Sequence, residues 1–116
     1  MTPARWSVWL ANLDPVVGSE QGKTRPVLVI SDTRLNQILP VVNVLPVTSR
    51  KSNRRVYPNE ALLPVGAAGL NTESIVLCYQ IRTLDKRRLI NAFGSLDDKK
   101  LRDEILAAIR FQLALL

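Results

Sequence analysis

The sequence predicts an α+β domain, a small half-open β-barrel with one helix packed against it, and three observations support this prediction. Short segments rich in β-branched and aromatic residues, separated by Gly, Pro and polar turns, fill the first two-thirds of the chain. Near the C-terminus, apolar residues instead recur at three- and four-residue steps, the spacing of one helical face. No repeat or linker interrupts the pattern, so residues 1–116 are expected to form a single domain.

The β-rich part divides into six expected strands. The continuous apolar run Pro26–Ser31 is typical of a strand buried on both faces, whereas the two prolines of the next strand indicate an edge or a bulge. Trp6 and Trp9 are expected on opposite sides of the first strand, packed rather than stacked on bases. A basic polar segment, residues 49–55, is expected to be a mobile loop, and Gly66 and Gly69 mark a turn. The expected strands are 6–13, 26–31, 40–48, 56–63, 74–81 and 89–94.

The C-terminal segment is expected to be an amphipathic helix. Ser95 or Asp97 can cap its start, and the carboxylates of Asp97 and Asp98 suit the positive end of the helix dipole. Its apolar face is predicted to consist of Leu101, Ile105, Ala108, Ile109, Leu113 and Leu116.

The charge balance favours a polyanionic partner. Sixteen Lys and Arg residues against ten Asp and Glu residues give a net charge of +6, and each phosphate that a basic protein neutralises releases counterions. Four of the positive charges lie in the run Arg50–Arg55, in which Arg50 and Lys51 are predicted to contact the phosphates of a nucleic acid. A second basic cluster contains Arg82, a further predicted contact of this kind, with Lys86, Arg87 and Arg88. Most such runs are solvated loops, so charge alone leaves the function open.

The residue types that are missing exclude several chemistries. The chain has no His, which removes Ser-His-Asp and Cys-His hydrolases and His-based zinc sites, and no cofactor or metal is expected. The single cysteine, Cys78, lies in the apolar run Ile75–Cys78, which predicts a buried and unreactive thiol. No signal-like segment or run of about 18 apolar residues is present, so a soluble, cytoplasmic protein is expected.

The most unusual stretch is Gly18–Pro26, where two glycines and two basic residues precede an apolar strand. It lacks one residue of a phosphate-binding GxxxxGKT loop, and a strand follows where that motif requires a helix, so nucleotide hydrolysis is rejected. Arg25 stands at the mouth of this strand, where a charge needs a partner. Composition favours a structural ion pair with Glu20 or Asp85, and Thr48 by itself is an ordinary strand-end residue.

Three segments resemble the MazF/PemK family of toxin endoribonucleases, also called mRNA interferases. Leu13–Ser31 is similar to the end of the family's first strand, its loop and its second strand, almost residue for residue. Leu45–Ser49 matches a proline-valine-threonine-serine strand end, and Cys78–Lys86 is similar to a cysteine-acid-glutamine-isoleucine-arginine-threonine stretch. The three motifs occur in the family's order and span nearly the whole chain.

The resemblance implies a fold, a site and partners. The fold would be an SH3-like barrel of the CcdB/MazF type that forms a homodimer, with a cognate antitoxin whose acidic, disordered segment occupies the RNA groove. Arg25 and Thr48 would be the catalytic pair in cleavage of single-stranded RNA. Among the family positions that line the groove are Gln21, Lys23, Ser49 and Gln80.

The chain departs from the family at three places, and two other functions stay open. Trp6 and Ser7 follow Arg5 where Gly and an acid are usual, Tyr79 replaces an acid of some members, and Ser19 replaces a His. A mechanism that needs those side chains cannot operate in this chain. A non-catalytic gyrase-poisoning toxin of the CcdB kind has the same barrel, and a passive nucleic-acid-binding barrel would also account for the charge.

Overall fold

The computed structural model describes residues 2–116, in which seven antiparallel strands form a sheet that does not close. Along the sheet the order is β4-β5-β3-β2-β1-β7, and β6 pairs with part of β3. The strands are β1 (Ser7–Asn12), β2 (Thr24–Val29), β3 (Val41–Ser49), β4 (Glu60–Leu63), β5 (Ser74–Leu77), β6 (Arg82–Asp85) and β7 (Leu89–Ser95), and the helices are α1 (Thr33–Ile38) and α2 (Lys99–Leu113). The predicted α+β architecture, a half-open barrel with a C-terminal helix, is confirmed.

The curved sheet separates two apolar clusters. Side chains alternate along each strand, so Leu28 of β2 joins one cluster while its neighbours Val27 and Val29 join the other. Trp6 belongs to the first cluster and Trp9 to the second, which confirms that they face opposite sides. Helix α2 covers the first cluster alone, with Ile105, Ala108 and Ile109 buried there.

The sequence predicts that the third strand is an edge or a bulged strand, and the edge alternative is wrong, because β3 is central. It pairs with β2 along one side and with two strands along the other, β6 opposite residues 41–44 and β5 opposite residues 47–49. Pro46 lies between these two partners, at a position that needs no hydrogen bond from its missing N–H. The proline therefore marks the point where the partner strand changes.

Other boundaries differ from the sequence prediction for local reasons. The expected strand over residues 74–81 ends at Leu77, and a 3₁₀ turn, Cys78–Gln80, redirects the chain into β6. The strand expected from Val56 begins only at Glu60. The short helix α1 is an addition to the predicted elements. Asp32 caps its start, and the buried Asn36 amide donates to the Pro3 carbonyl at 2.9 Å.

Helix α2 follows the predicted face over most of its length. Its N-cap is Asp98, whose carboxylate accepts from the Leu101 N–H at 3.2 Å, rather than Ser95 or Asp97. Leu113 and Leu116, predicted on the buried face, are exposed. The helix ends at Leu113, and Ala114 takes a left-handed conformation that turns the chain away.

Candidate active site

The loop between β1 and β2 is closed at its base by Asp14 and Lys23. The Asp14 carboxylate accepts from the Lys23 N–H at 2.7 Å, and the Lys23 carbonyl accepts from the Leu13 N–H at 2.8 Å. Gly22 packs under this closure, where a Cβ would lie 2.7 Å from an Asp14 carboxylate oxygen. A larger residue at this position would have to displace the Asp14 carboxylate that closes the loop, which delivers the chain into β2 directly before Arg25.

Pairing of β2 with β3 brings Arg25 and Thr48 together. Val27 pairs with Pro46, and the same register continued by two residues sets Arg25 opposite Thr48. By alternation Arg25 lies on the face of Val27 and Thr48 on the face of Val44, so both extend the second apolar cluster towards the surface. Both residues also border one cleft of about 220 Å³, whose other lining residues include Val47 and Leu70 of the first cluster.

The rest of this cleft, the Arg25 cleft, comes from distant segments. Ser49 follows Thr48, and its hydroxyl shares a 3.1 Å hydrogen bond with the Thr72 hydroxyl. Opposite them, backbones approach so closely that a Cβ on Gly69 would lie 2.5 Å from the Phe93 carbonyl oxygen. Apart from Ser49, the sequence did not indicate these wall residues, since no local pattern links them to Arg25. The cleft is lined by Arg25, Pro26, Val47, Thr48, Ser49, Gly69, Leu70, Asn71, Thr72, Ser74 and Phe93.

The guanidinium of Arg25 has no acidic partner among residues 2–116. Its Nε donates to the Gly22 carbonyl at 3.2 Å, and its terminal nitrogens bond to no protein acceptor in the described chain. The ion pair favoured by composition is therefore absent there: Glu20 accepts from the Val17 N–H, and Asp85 pairs with Arg87. A planar cation with free paired donors is suited to bind a phosphate.

Gln21, Gln80 and Arg82 line a second, larger cleft of about 500 Å³. The Gln80 side chain fastens the β1–β2 loop: its carbonyl oxygen accepts from the Gln21 N–H at 2.7 Å, and its amide donates to the Ser19 carbonyl at 3.3 Å. Arg82 donates to the Leu13 carbonyl at 3.1 Å. Of the predicted RNA-contacting residues, Gln21, Gln80 and Arg82 therefore line this cleft and Ser49 lines the Arg25 cleft, whereas Lys23, Arg50 and Lys51 line neither.

The basic run of residues 50–55 divides into paired and unpaired charges. Arg50 contacts Glu73 at 3.2 Å, and Arg54 contacts both oxygens of Glu60, at 2.9 and 2.8 Å. Lys51 and Arg55 form no ion pair within the described chain, although the Arg55 guanidinium lies over the Tyr57 ring. The partner acids come from outside the run, so no local pattern indicates this division.

The prediction of a buried, unreactive cysteine has a structural counterpart. Cys78 is buried, and burial raises the pKa of its thiol to about 12, helped by the negative charge of Glu60. This confirms the prediction of a buried cysteine. Across residues 2–116, no three His, Cys, Asp or Glu side chains lie close enough to hold a metal ion together. None of the helices described is long and apolar enough to cross a membrane.

Solved structures with the same fold are MazF toxins. The crystal structure of MazF from Deinococcus radiodurans superposes with a TM-score of 0.79 at 33% identity, covering 98% of both chains. A MazE-MazF structure from the same organism gives 0.75 at 28% identity, covering 100% of this chain and 99% of the other. In fold, the chain is therefore a MazF-type barrel.

The chain belongs to the family of PemK-like, MazF-like toxins of type II toxin-antitoxin systems, whose model matches residues 4–113. Endoribonuclease EndoA of Bacillus subtilis (strain 168) is 37% identical over 116 residues, which is all of this chain and 98% of that protein. Endoribonuclease MazF of Staphylococcus saprophyticus is 40% identical over 111 residues, 96% of this chain and 91% of that protein. The resemblance seen in the sequence is confirmed.

Proposed function

We propose that this toxin is an endoribonuclease that cuts single-stranded RNA at particular sequences, without a metal, by activating the RNA's own 2′-hydroxyl. The two relatives named endoribonuclease, each similar over nearly its full length, support the activity. The observation that carries the proposal is Arg25, which lies opposite Thr48 in the β2–β3 register and whose guanidinium meets no carboxylate in residues 2–116.

In this mechanism Arg25 binds the scissile phosphate. Its free N–H donors stabilise the negative charge that builds on the phosphorane oxygens, and this stabilisation is largest in the transition state. The Gly22 carbonyl holds the guanidinium through Nε and leaves the terminal nitrogens to face the ligand. Arg25 acts as a donor rather than a base, because a guanidinium stays protonated in proteins and has no lone pair to accept a proton.

Thr48 fixes the orientation of the same phosphate. A hydroxyl can donate one hydrogen bond to a phosphate oxygen, and Thr48 lies opposite Arg25 across the cleft. The contribution of this neutral donor is smaller than that of the charged pair of donors. Thr48→Ala should therefore slow cleavage less than Arg25→Ala.

The 2′-hydroxyl is the expected nucleophile because the chain contains no His to activate water. Its oxygen bonds to the adjacent phosphorus while the bond from phosphorus to the 5′-oxygen breaks. The 2′-hydroxyl proton is lost, and the leaving oxygen gains a proton. The products are a 2′,3′-cyclic phosphate and a free 5′-hydroxyl, and the need for a 2′-hydroxyl explains selectivity for RNA over DNA.

The products test the mechanism. Pure protein incubated with a defined RNA in EDTA should give those two ends, and one 2′-deoxy nucleotide just 5′ of the cut should abolish cleavage there. Cleavage that needs magnesium and leaves 5′-phosphates would overturn the mechanism. RNA binding without cleavage would instead favour the passive barrel, and gyrase inhibition without cleavage would favour a toxin of the CcdB kind.

The toxin is further proposed to act as a homodimer and to bind an antitoxin through an acidic segment. The solved MazE-MazF complex of a relative supports such a partner, and one basic groove would attract both carboxylates and phosphates. An acidic antitoxin peptide should then compete with uncleavable RNA in a titration. Simultaneous binding of both would contradict a shared groove.

A further inference from the structure

The second cleft, here called the Tyr79 cleft, has the size and composition of a ligand pocket. Its volume of about 500 Å³ lies within the range of pockets that hold small organic molecules. One wall is aromatic and apolar, and the other carries hydrogen-bonding groups of the β1–β2 loop. The lining residues are Pro15, Ser19, Glu20, Gln21, Tyr79, Gln80, Ile81 and Arg82.

Tyr79 presents its ring from a rigid backbone. It lies in the 3₁₀ turn Cys78–Gln80. The fully buried strand β5 precedes this turn, and the next residue, Gln80, holds the β1–β2 loop in place. Cys78 is buried beneath the ring, whereas Tyr79 is 41% exposed. Because the preceding strand and the Cys78 side chain are fixed in the core, little conformational entropy is lost when a planar ligand stacks on this ring.

The opposite wall is held in place by hydrogen bonds. Gln80 bonds to the Gln21 N–H and the Ser19 carbonyl, which fixes the loop across the cleft from Tyr79. Arg82, at the floor, donates to the Leu13 carbonyl through one terminal nitrogen and keeps a positive charge in the cleft. An aromatic ring (Tyr79) and an arginine (Arg82) in one cleft suit a nucleotide, since the base can stack on the ring and the phosphate can meet the positive charge.

A short stretch of the β1–β2 loop links the Tyr79 cleft to Arg25. Gln21, fastened by Gln80, is followed by Gly22, whose carbonyl holds the Arg25 guanidinium. A single-stranded RNA with its scissile phosphate at Arg25 can therefore continue along this segment into the Tyr79 cleft. Arg25 and Arg82 place a positive charge at each end of this path, and Glu20 is the one acid among the described residues that line the Tyr79 cleft. Charged ends of this kind suit RNA better than an apolar peptide.

We propose that Tyr79 is a base-stacking residue that binds one nucleotide beside the cut. The proposal rests on the proposed function, and it concerns a position at which this chain departs from the acid of similar toxins. Stacking on an aromatic ring tolerates any base, so Tyr79 contributes affinity for the strand rather than a sequence preference. It does not touch the reacting atoms, and its loss raises KM while kcat stays nearly unchanged.

The test combines a protein variant with an RNA that lacks one base. The binding probe is an RNA made uncleavable by one 2′-deoxy nucleotide, and Tyr79→Ala should bind it roughly 5- to 150-fold more weakly, as for the loss of one stacked base. A single abasic nucleotide moved along the RNA should weaken wild-type binding by a similar factor at one position. At that position Tyr79→Ala should lose nothing further.

Two variants separate stacking from other effects. Tyr79→Phe keeps the ring and should bind like the wild type, so a loss as large as that of Tyr79→Ala would overturn the proposal. Tyr57→Ala is the matched control: Tyr57 is similarly exposed, at 48%, and it borders another cleft together with Tyr79, but it does not line the Tyr79 cleft itself. RNA binding by Tyr57→Ala should still be weakened by the abasic nucleotide at the same position as in the wild type.

Failure of this proposal differs from failure of the proposed function. If Tyr79→Ala binds and cleaves RNA with unchanged Kd and KM, the stacking role is wrong and the nuclease function stands. If Tyr79→Ala loses binding to an acidic peptide but none to RNA, the cleft belongs to a protein partner, which also overturns stacking. If the wild type neither binds nor cuts RNA, both proposals fall together.

Discussion

Arg25 and Arg54 are the same side chain in opposite electrostatic surroundings. Arg54 contacts Glu60 through two nitrogens, at 2.9 and 2.8 Å, and the Glu60 side chain is only 1% exposed. Arg25 bonds to the Gly22 carbonyl and, within residues 2–116, to no carboxylate. The charge of Arg54 is neutralised inside the protein, whereas that of Arg25 is open to a ligand.

The difference indicates how a functional arginine can be recognised: it lacks an acidic ion-pair partner within the protein. A partly buried charge without a counter-ion lowers stability, and proteins tend to keep such groups where function uses them. The same criterion separates Arg50, which pairs with Glu73, from Lys51 and Arg55. A row of positive charges in a sequence therefore overstates the charge that can meet RNA.

The largest expected effect is on Arg25. Arg25→Ala should lower the cleavage rate by on the order of 10²-fold or more, as when a charged oxyanion donor is removed. The free energy of unfolding should barely change, since within residues 2–116 the guanidinium makes a single hydrogen bond, to the Gly22 carbonyl. Single-turnover cleavage and urea unfolding measure the two quantities.

The matched control for Arg25 is Arg25→Lys. Lysine keeps the charge but loses the planar pair of donors, so its rate should fall between those of the wild type and Arg25→Ala. Full activity in Arg25→Ala would remove Arg25 from the mechanism and with it the contrast to Arg54.

Arg54→Ala should show the reverse pattern. It should lower the free energy of unfolding by about 2 kcal/mol, less than the ~3–5 kcal/mol for a fully buried pair, because the Arg54 side chain is 36% exposed. The folded fraction should cleave RNA at the normal rate per molecule. Thermal or urea unfolding, with activity measured well below the transition, checks both parts.

A double variant tests the cause of that destabilisation. Arg54→Met combined with Glu60→Gln removes both charges and keeps an acceptor for the Tyr57 N–H, which now donates to Glu60 at 3.1 Å. It should be more stable than Arg54→Met alone, since no buried carboxylate is left unpaired. For the single variant, slow RNA cleavage by Arg54→Ala that remains stable and folded would instead place Arg54 in the RNA site.

Salt dependence of binding should distinguish the two halves of the basic loop. Replacing Lys51 and Arg55 with Ala should make the log–log slope of RNA affinity against salt shallower by about 0.7 for each phosphate that is no longer neutralised. Arg50→Ala should leave the slope nearly unchanged, because Arg50 already pairs with Glu73. A titration of uncleavable RNA at several salt concentrations measures the slopes. An unchanged slope in the Lys51 and Arg55 variant would show that this loop never meets phosphate.

The sequence predicted the parts of the fold that depend on local pattern. The first two strands, the central segment and the C-terminal helix follow from apolar periodicity. Helix α1 does not, because its six residues include Thr33 and Asn36, poor helix formers. It is held instead by the Asp32 cap and by tertiary hydrogen bonds of Asn36.

The site was predicted only in part, for a similar reason. The resemblance indicated Arg25 and Thr48, which the β2–β3 pairing brings to one cleft. The walls at Gly69 and Phe93 and the acids Glu60 and Glu73 come from other segments, brought near by non-local strand pairing. No spacing rule relates such residues to the arginines, so the paired and free charges could not be separated in the sequence.

The smallest expected effect is a pH dependence of stability at the paired site. Hydrogen bonds from Arg54, with help from the Tyr57 N–H, hold the pKa of Glu60 below its ordinary value of 4.5. A carboxyl group with a lowered folded-state pKa stabilises the fold fully above its unfolded value. This stabilisation should persist above about pH 4.5 and decline as the pH falls through the folded-state pKa. Glu60→Gln cannot titrate, so the stability difference from wild type should be flat between roughly pH 6 and 8 and shrink below 4.5.

Asp32→Asn supplies the comparison, since its exposed pair with Arg34 should be screened by added salt while the buried pair should not. Unfolding free energies from pH 3 to 8 at low and high salt would measure this. A difference that stayed constant down to pH 3 would show that Glu60 is not held ionised by Arg54.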